Sequence, residues 1–253
     1  MSDHRPSLIT FGISPFCEKA RWALDWHGIA YKEIGWPAGV HQILAKGKGA
    51  KSTTLPILLD GEELIQESSA IIDWSEKDVQ DRDRTLTRSD ALKVEQRADN
   101  IIGVHTRRLY YASMLPNFPH LTKPGLFCNT SASPRFVGNI MWPVTWRIIM
   151  KKYDITPKAA AESRAKLEAE LDWLDSELSD GRSYLVGDRF SRADLTVSSL
   201  LAPFACPEEI PAFRDLTLPD TLIADSKRWQ RRPVMRWVKE QYEAHRAPMS
   251  RVS

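Results

Sequence analysis

Ser14-Pro15-Phe16-Cys17 is the first stretch of this sequence whose residue types and spacing could do chemistry. Ser14 stands where a helix N-cap belongs, and Pro15 at the first helical position, where a missing N–H costs nothing. The Ser14 hydroxyl therefore lies at the positive end of a helix, among N–H groups with no intrahelical partner, a place that holds an anion. The same pattern also reads as an ordinary cap. Gln66-Glu67-Ser68-Ser69 repeats the arrangement at the start of a second helix, where the free N–H groups suit a carboxylate; simple capping is again the alternative. Leu55-Pro56 opens an apolar strand, the position in a sheet that tolerates Pro, and X-Pro is the one bond at which the cis form is cheap. The run from Lys46 to Lys51 is Gly-rich and positive, either a solvated loop or a ligand clamp. Cys17 lacks the second thiol that a disulfide pair needs, because Ser14 fills that place.

The elements that must position these residues follow from periodicity. Residues 7–11 read as a strand, 15–27 as an amphipathic helix ended by Gly28, and 29–34 as a second strand. Strand, helix and strand in so short a span form a βαβ unit with parallel pairing. A short helix is expected at 41–45, a strand at 54–59, a hairpin turn at Asp60-Gly61, a returning strand at 63–65 and a helix at 70–77. Residues 78–90 are polar and aperiodic, as a linker is. Beyond them everything reads as helix: one at 89–110, and one at 157–179 with Leu167, Leu171, Leu174 and Leu178 on one stripe. Ser191-x-x-Asp194 has capping-box spacing, with Phe190 and Leu195 placed as a hydrophobic staple, and the helix over 196–202 is apolar enough to be buried. Pro203, Pro207 and Pro211 mark an irregular stretch, and 229–242 a last amphipathic helix. Residues 111–137 read as a long ordered loop, and 138–153 as too apolar to face water.

Bulk properties narrow the function. The 253 residues carry a net charge of only +2, without a basic block, so nucleic acid is not an expected partner. No window approaches the roughly 18 apolar residues of a membrane span, and residues 1–7 lack the apolar core of a signal peptide, so neither a membrane nor secretion is expected. Three widely spaced cysteines fit a reducing cytoplasm and offer neither a disulfide framework nor a metal site.

The layout and its motifs resemble the glutathione transferases over residues 7 to about 202. Ser14-Pro15-Phe16-Cys17 is similar to the Cys-Pro-aromatic-Cys motif of glutaredoxins with Ser in the first place, and to the Ser-Pro-Phe start of plant tau-class transferases. Leu55-Pro56 resembles their cis-proline segment, Glu67-Ser68 their γ-glutamyl-binding pair, and Gly187 to Asp194 the capping motif of their second domain. The resemblance implies a thioredoxin-like α/β domain over 1–79, a linker over 80–90 and an all-α domain over 91–253. It implies glutathione as co-substrate, Ser14 as the residue that activates its thiol, and Phe16, Leu55, Pro56, Glu67 and Ser68 as its binding residues. A small hydrophobic electrophile would lie against Ile13, Tyr110, Tyr111 and Trp142, with Phe118 and Trp146 as further walls. A homodimer is implied, the 89–110 helix being one candidate interface. The sequence departs from the tau pattern at Thr53-Thr54, where a basic residue usually precedes the Leu-Pro pair, leaving Lys46, Lys48 or Lys51 for the glycine carboxylate. That departure keeps open a second reading, a non-catalytic carrier or interaction module on the same fold.

Overall fold

The computed structural model describes residues 5–210, 213 and 217–246; residues 1–4 and Pro211, about which expectations were stated above, lie outside them. The described residues divide into two compact units, 5–85 with 123–146, and 86–122 with 147–246.

The first unit is built on four strands, β1 (Ser7–Thr10), β2 (Lys32–Gly35), β3 (Ile57–Asp60) and β4 (Glu63–Gln66), in the order β2-β1-β3-β4. β1 and β2 pair in parallel, as the βαβ reading required, and the other two pairs are antiparallel. Alternation along the strands sends side chains to both faces. Leu8, Leu58 and Ile65 meet α1 (Pro15–Trp26) and α3 (Ser68–Ser75) through Ala20, Leu24 and Ile71 on one face. Ile9, Ile57 and Trp36 meet α2 (Val40–Gly47) through Ala45 on the other.

Inside this layered core is a buried ion cluster. Arg21 of α1, 2% exposed, lies 2.6 Å from Glu33 of β2 and 3.6 Å from Glu18. Its guanidinium also donates to the Phe11 carbonyl at 3.1 Å, and Thr10 Oγ1 donates to Glu33 at 2.7 Å. Burial works against the Arg21 charge, but Glu33 and Glu18 outweigh it and hold the guanidinium's pKa above its ordinary value. The cluster joins the end of β1, the first turns of α1 and β2 immediately below the loop that leads to Ser14.

Residues 111–153 correct two expectations. The anticipated loop is largely helix: α5 (Val104–Met114), which continues α4 (Ser89–Ala98) through a π-helical turn at Asp99–Gly103, then α6 (Pro119–Leu126) and α7 (Ala132–Lys152). Pro119 and Pro134 mislead as loop signals because both stand in the first turn of a helix, where Pro is tolerated. Residues 138–153, expected to be hidden, include exposed Ile140, Val144 and Ile148. The inner face of α7 instead carries Gly138, Trp142 and Thr145. The segment 123–146, which was expected to fall in the helical domain, clusters with the sheet. Gly12 N–H donates to Gly125 O at 3.2 Å and Gly35 N–H to Asn129 O at 2.8 Å, so the 125–129 loop caps the ends of β1 and β2. The approach is close enough that a Cβ on Gly35 would stand 1.9 Å from the Cys128 carbonyl oxygen.

The second unit is helical, as expected. α9 (Arg192–Ala205) is buried along its whole length and touches α4, α5, α10 (Asp220–Trp229) and α11 (Pro233–His245). The capping box forms: Asp194 accepts from Ser191 N–H at 2.8 Å, and its other oxygen accepts from Leu185 N–H at 2.7 Å. α9 runs two residues beyond Pro203, where irregular chain was expected. One lost backbone bond near a helix end is outweighed by the burial of that turn. α8 (Pro157–Glu177) packs on α5, where His105 and Ser163 are hydrogen-bonded at 3.0 Å.

Two outcomes follow from the first unit. Arg21→Met leaves Glu33 and Glu18 without their buried counter-ion and should destabilise the protein by about 3–5 kcal/mol, measured by urea unfolding. Gly35→Ala forces a methyl group into the Cys128 backbone and should cost about 1–3 kcal/mol, with faster proteolytic cleavage around residues 124–131.

Candidate functional site

The sheet register brings the sequence-derived candidates to one end of the first unit. Ile9 is opposite Ile57, and Ile57 opposite Gln66. Carrying the register one step further places Leu55-Pro56 beside the chain that leaves β1, and Glu67-Ser68 beside Leu55-Pro56. The Leu55-Pro56 bond is cis.

Ser14 is the N-cap of α1, with extended backbone and a half-buried side chain. Its Oγ accepts from Cys17 N–H at 3.3 Å. An oxygen that accepts there keeps its own proton for donation outward, so the capping and chemical readings are compatible. Phe16, half-buried, follows in the same turn. Cys17 is fully buried, and its sulfur accepts from Phe11 N–H at 3.4 Å. Burial pushes its thiol pKa up against the opposing pull of Arg21, so Cys17 is a packed thiol at neutral pH.

Glu67 caps α3 from an unusual backbone, φ 79° and ψ 138°, a region that favours glycine. Its exposed carboxylate accepts from Thr54 Oγ1 at 2.9 Å and from Ser52 Oγ at 3.5 Å. Gln66 braces the same loop: it accepts from Ser52 N–H at 3.0 Å and donates to Ser52 O at 2.6 Å. Ser68 is buried, and the neighbouring Ser69 accepts from Lys19 Nζ at 3.0 Å. Lys19, fully buried on α1, thus adds a positive charge at the first turn of α3. Sequence reasoning missed Lys19 and Ser52 as parts of the site, and named Gln66 and Thr54 without giving either a role in holding Glu67. The one signal for Lys19 is its spacing of four from Pro15, on the inward side of α1. Lys46, Lys48 and Lys51 are exposed, and none makes an ion pair among the described residues.

The expected electrophile walls divide between the units. Ile13 adjoins Ser14, and its side chain lies on the backbone of Gly125. Trp142, also in the first unit, is buried edge-on against Phe127, ring centroids 5.7 Å apart. Tyr110 and Tyr111 are in the second unit. The Tyr110 hydroxyl donates to the Pro203 carbonyl at 3.0 Å, and burial pushes its pKa up. Tyr111 leans on Tyr153 at 5.6 Å. Phe118 is exposed beside His120, and Trp146 is half-buried. A cavity of about 530 Å³ in the first unit is lined by Lys123, Phe127, Cys128, Asn129, Arg135 and Asn139, none of them anticipated. No group of three or more His, Cys, Asp or Glu among the described residues could hold a metal ion.

Comparison with known proteins bears on the family and the fold. Residues 8–82 match the model of the glutathione S-transferase N-terminal domain, and residues 157–239 that of the glutathione S-transferase C-terminal domain. No curated protein matches the chain. Among solved structures, a glutathione S-transferase of Ceriporiopsis subvermispora, crystallised with glutathione, superposes with a TM-score of 0.64 at 17% identity, covering 96% of this chain and 98% of its own. Glutathione transferase GSTFuA3 of Phanerochaete chrysosporium gives 0.61 at 16% identity, covering 95% and 97%. The beta-etherase LigF of Sphingobium sp. strain SYK-6 gives 0.56 at 16% identity, covering 93% and 99%. At such identities the structural likeness speaks for the fold alone. With both domain models matched in order, on a four-stranded mixed sheet followed by a helical unit, the chain belongs to the glutathione S-transferase family.

Proposed function

We propose that this protein binds glutathione at the sheet end formed by Ser14, Leu55-Pro56 and Glu67-Ser68, and activates its thiol for attack on a small hydrophobic electrophile. The observation that carries the reading is the Ser14 hydroxyl. It sits at the N-terminus of α1, accepts from Cys17 N–H, and has its proton left to give.

Each element has a separate task. Leu55, outside the β3 ladder and carrying no hydrogen bond on its backbone groups among the described residues, offers them to the cysteinyl unit as an added strand would take them. Glu67, held by Thr54 and Ser52, takes the γ-glutamyl ammonium. The N-terminus of α3, reinforced by Lys19, takes the γ-glutamyl carboxylate with Ser68. Phe16 packs within the helical turn next to the thiol. Ser14 donates to the sulfur, and the α1 terminus favours its negative charge. A free thiol titrates near ~8.5; lowering that by about two units takes about 2.7 kcal/mol. One charge-assisted hydrogen bond and a helix terminus supply most of it. Ser14 is neither nucleophile nor base in this scheme: the thiol proton is released to solvent, the thiolate sulfur forms the new bond to the electrophile, and the leaving group departs with its electron pair. We assign Ile13 to the electrophile's side of the site, with Trp142, Tyr110 and Tyr111 as further candidate walls. A homodimer in the cytoplasm is the accompanying expectation, tested by light scattering of dilute protein.

Three variants test the scheme. Ser14→Ala should lower kcat/KM with an aromatic halide by about a hundredfold, the equivalent of about 2.7 kcal/mol, while glutathione affinity changes little. Ser14→Cys, one turn from Cys17, should gain glutathione-dependent disulfide reductase activity; no gain at all would mean that position 14 does not face the ligand sulfur. Glu67→Gly relaxes a backbone strained by about 1–3 kcal/mol, so the melting temperature should hold or rise. The same variant should weaken glutathione binding by about tenfold or more in calorimetry, for loss of a charged hydrogen bond.

A further inference from the structure

The first unit holds a cavity of about 530 Å³ that the account of Ser14 leaves unused. That volume suits one small organic molecule. Its walls come from the stretch between Lys123 and Asn129 and from the first turns of α7, where Arg135 and Asn139 stand one turn apart. Buried Phe127 gives it an aromatic surface. The polar side chains around that surface all offer N–H donors: the Lys123 ammonium, the Arg135 guanidinium and the amides of Asn129 and Asn139. No Asp or Glu lines the cavity. The Lys123 ammonium lies 5.5 Å from the centroid of the Phe127 ring, and this half-buried residue makes no ion pair among the described residues. Arg135 is pinned by donating to the Phe127 carbonyl at 2.9 Å, and a carbonyl fixes a guanidinium without cancelling its charge. A concave, partly apolar wall with charge of one sign focuses the field of that charge. This one favours an aromatic ring that carries an anion.

Position says what that molecule is to the protein. The loop that walls the cavity is seated on the chain leading to Ser14. Gly12 N–H donates to Gly125 O, and the Ile13 side chain lies on Gly125. A Cβ on Gly12 would stand 2.1 Å from the sulfur of Cys128, itself a cavity wall. Two Cα steps of about 3.8 Å separate Gly12 from Ser14, which puts the Ser14 Cα within about 11 Å of that sulfur. One substituted aromatic ring, met by the Lys123 side chain, spans such a gap.

We propose that the electrophile is an aromatic acid, its reacting carbon toward Ser14 and its carboxylate in this cavity on Lys123, with the Asn129 and Asn139 amides beside it. The proposal rests on the thiolate reading of Ser14 and narrows its substrate from hydrophobic to hydrophobic and anionic.

The test compares two probes of matched shape, a chlorodinitrobenzoate and the corresponding neutral chlorodinitrobenzamide. With either, the glutathione sulfur bonds to the ring carbon, the thiol proton goes to solvent and chloride leaves with its electron pair. The readout is the ratio of the two kcat/KM values, each divided by its uncatalysed rate. The wild type is expected to favour the acid by about tenfold, the worth of one charged hydrogen bond, and added salt should shrink that preference. Lys123→Met should bring the ratio to about one, Lys123→Arg should restore most of it, and Asn139→Ala should lower it by about threefold. A wild-type ratio near one overturns the proposal, as does a preference that Lys123→Met leaves intact. Turnover of neither probe would instead sink the reading of Ser14. Calorimetry with dinitrobenzoate, which lacks the leaving group, then decides for the cavity by itself. Binding that weakens by about tenfold in Lys123→Met upholds the acid site, whereas no binding, or equal binding by both proteins, overturns it.

Discussion

The Arg21–Glu33 pair is the constraint on which the rest of the first unit depends. A guanidinium with almost no access to water must be matched in place, and its partners come from three elements: Glu18 on its own helix, Glu33 on β2 and the Phe11 carbonyl at the end of β1. Satisfying it fixes where α1 begins relative to the sheet. The direction of the α1 terminus follows from that, and with it the position of the Ser14 hydroxyl. A buried ion pair adds little net stability against an apolar replacement, but it tolerates few alternative arrangements. A site that must hold a donor against a thiolate needs that kind of geometric fixity.

Around this anchor the site is braced by further polar side chains. Gln66 ties the end of β4 to the 52–54 loop, and Thr54 and Ser52 hold the Glu67 carboxylate. Lys19 joins the two helices whose N-termini face the site. The 125–129 loop caps the ends of β1 and β2 at Gly12 and Gly35 and brings α7 against the same unit.

The local signals in the sequence were reliable wherever a single residue type has one strong preference. Ser14-Pro15 marked the start of α1, Asp60-Gly61 the hairpin, and Ser191 with Asp194 the capping box, and all stand where chain-local physics puts them. The parallel β1–β2 pair followed from the length of the connection alone. What was not legible depended on long-range partners. Lys19, Arg21 and Glu18 look like the polar side of a helix until Glu33 and Ser69, distant in sequence, bury them. Residues 111–153 failed for another reason. Pro and aromatic residues argued for a loop and a hidden segment, whereas the prolines at 119 and 134 open helices, and α7 turns only one of its two apolar sides inward.

Family membership supplies the fold and leaves the chemistry to the site. The central claim is that this sheet end holds a glutathione thiolate and that Ser14 stabilises it. Ultraviolet thiolate absorbance tests this most directly, followed across pH on titration of glutathione into the wild type and into Ser14→Ala. The account predicts a bound thiol that titrates about two units below the free value of ~8.5, and a return toward that value in the variant. Binding with the free value in both proteins, or an equal depression in both, would contradict it.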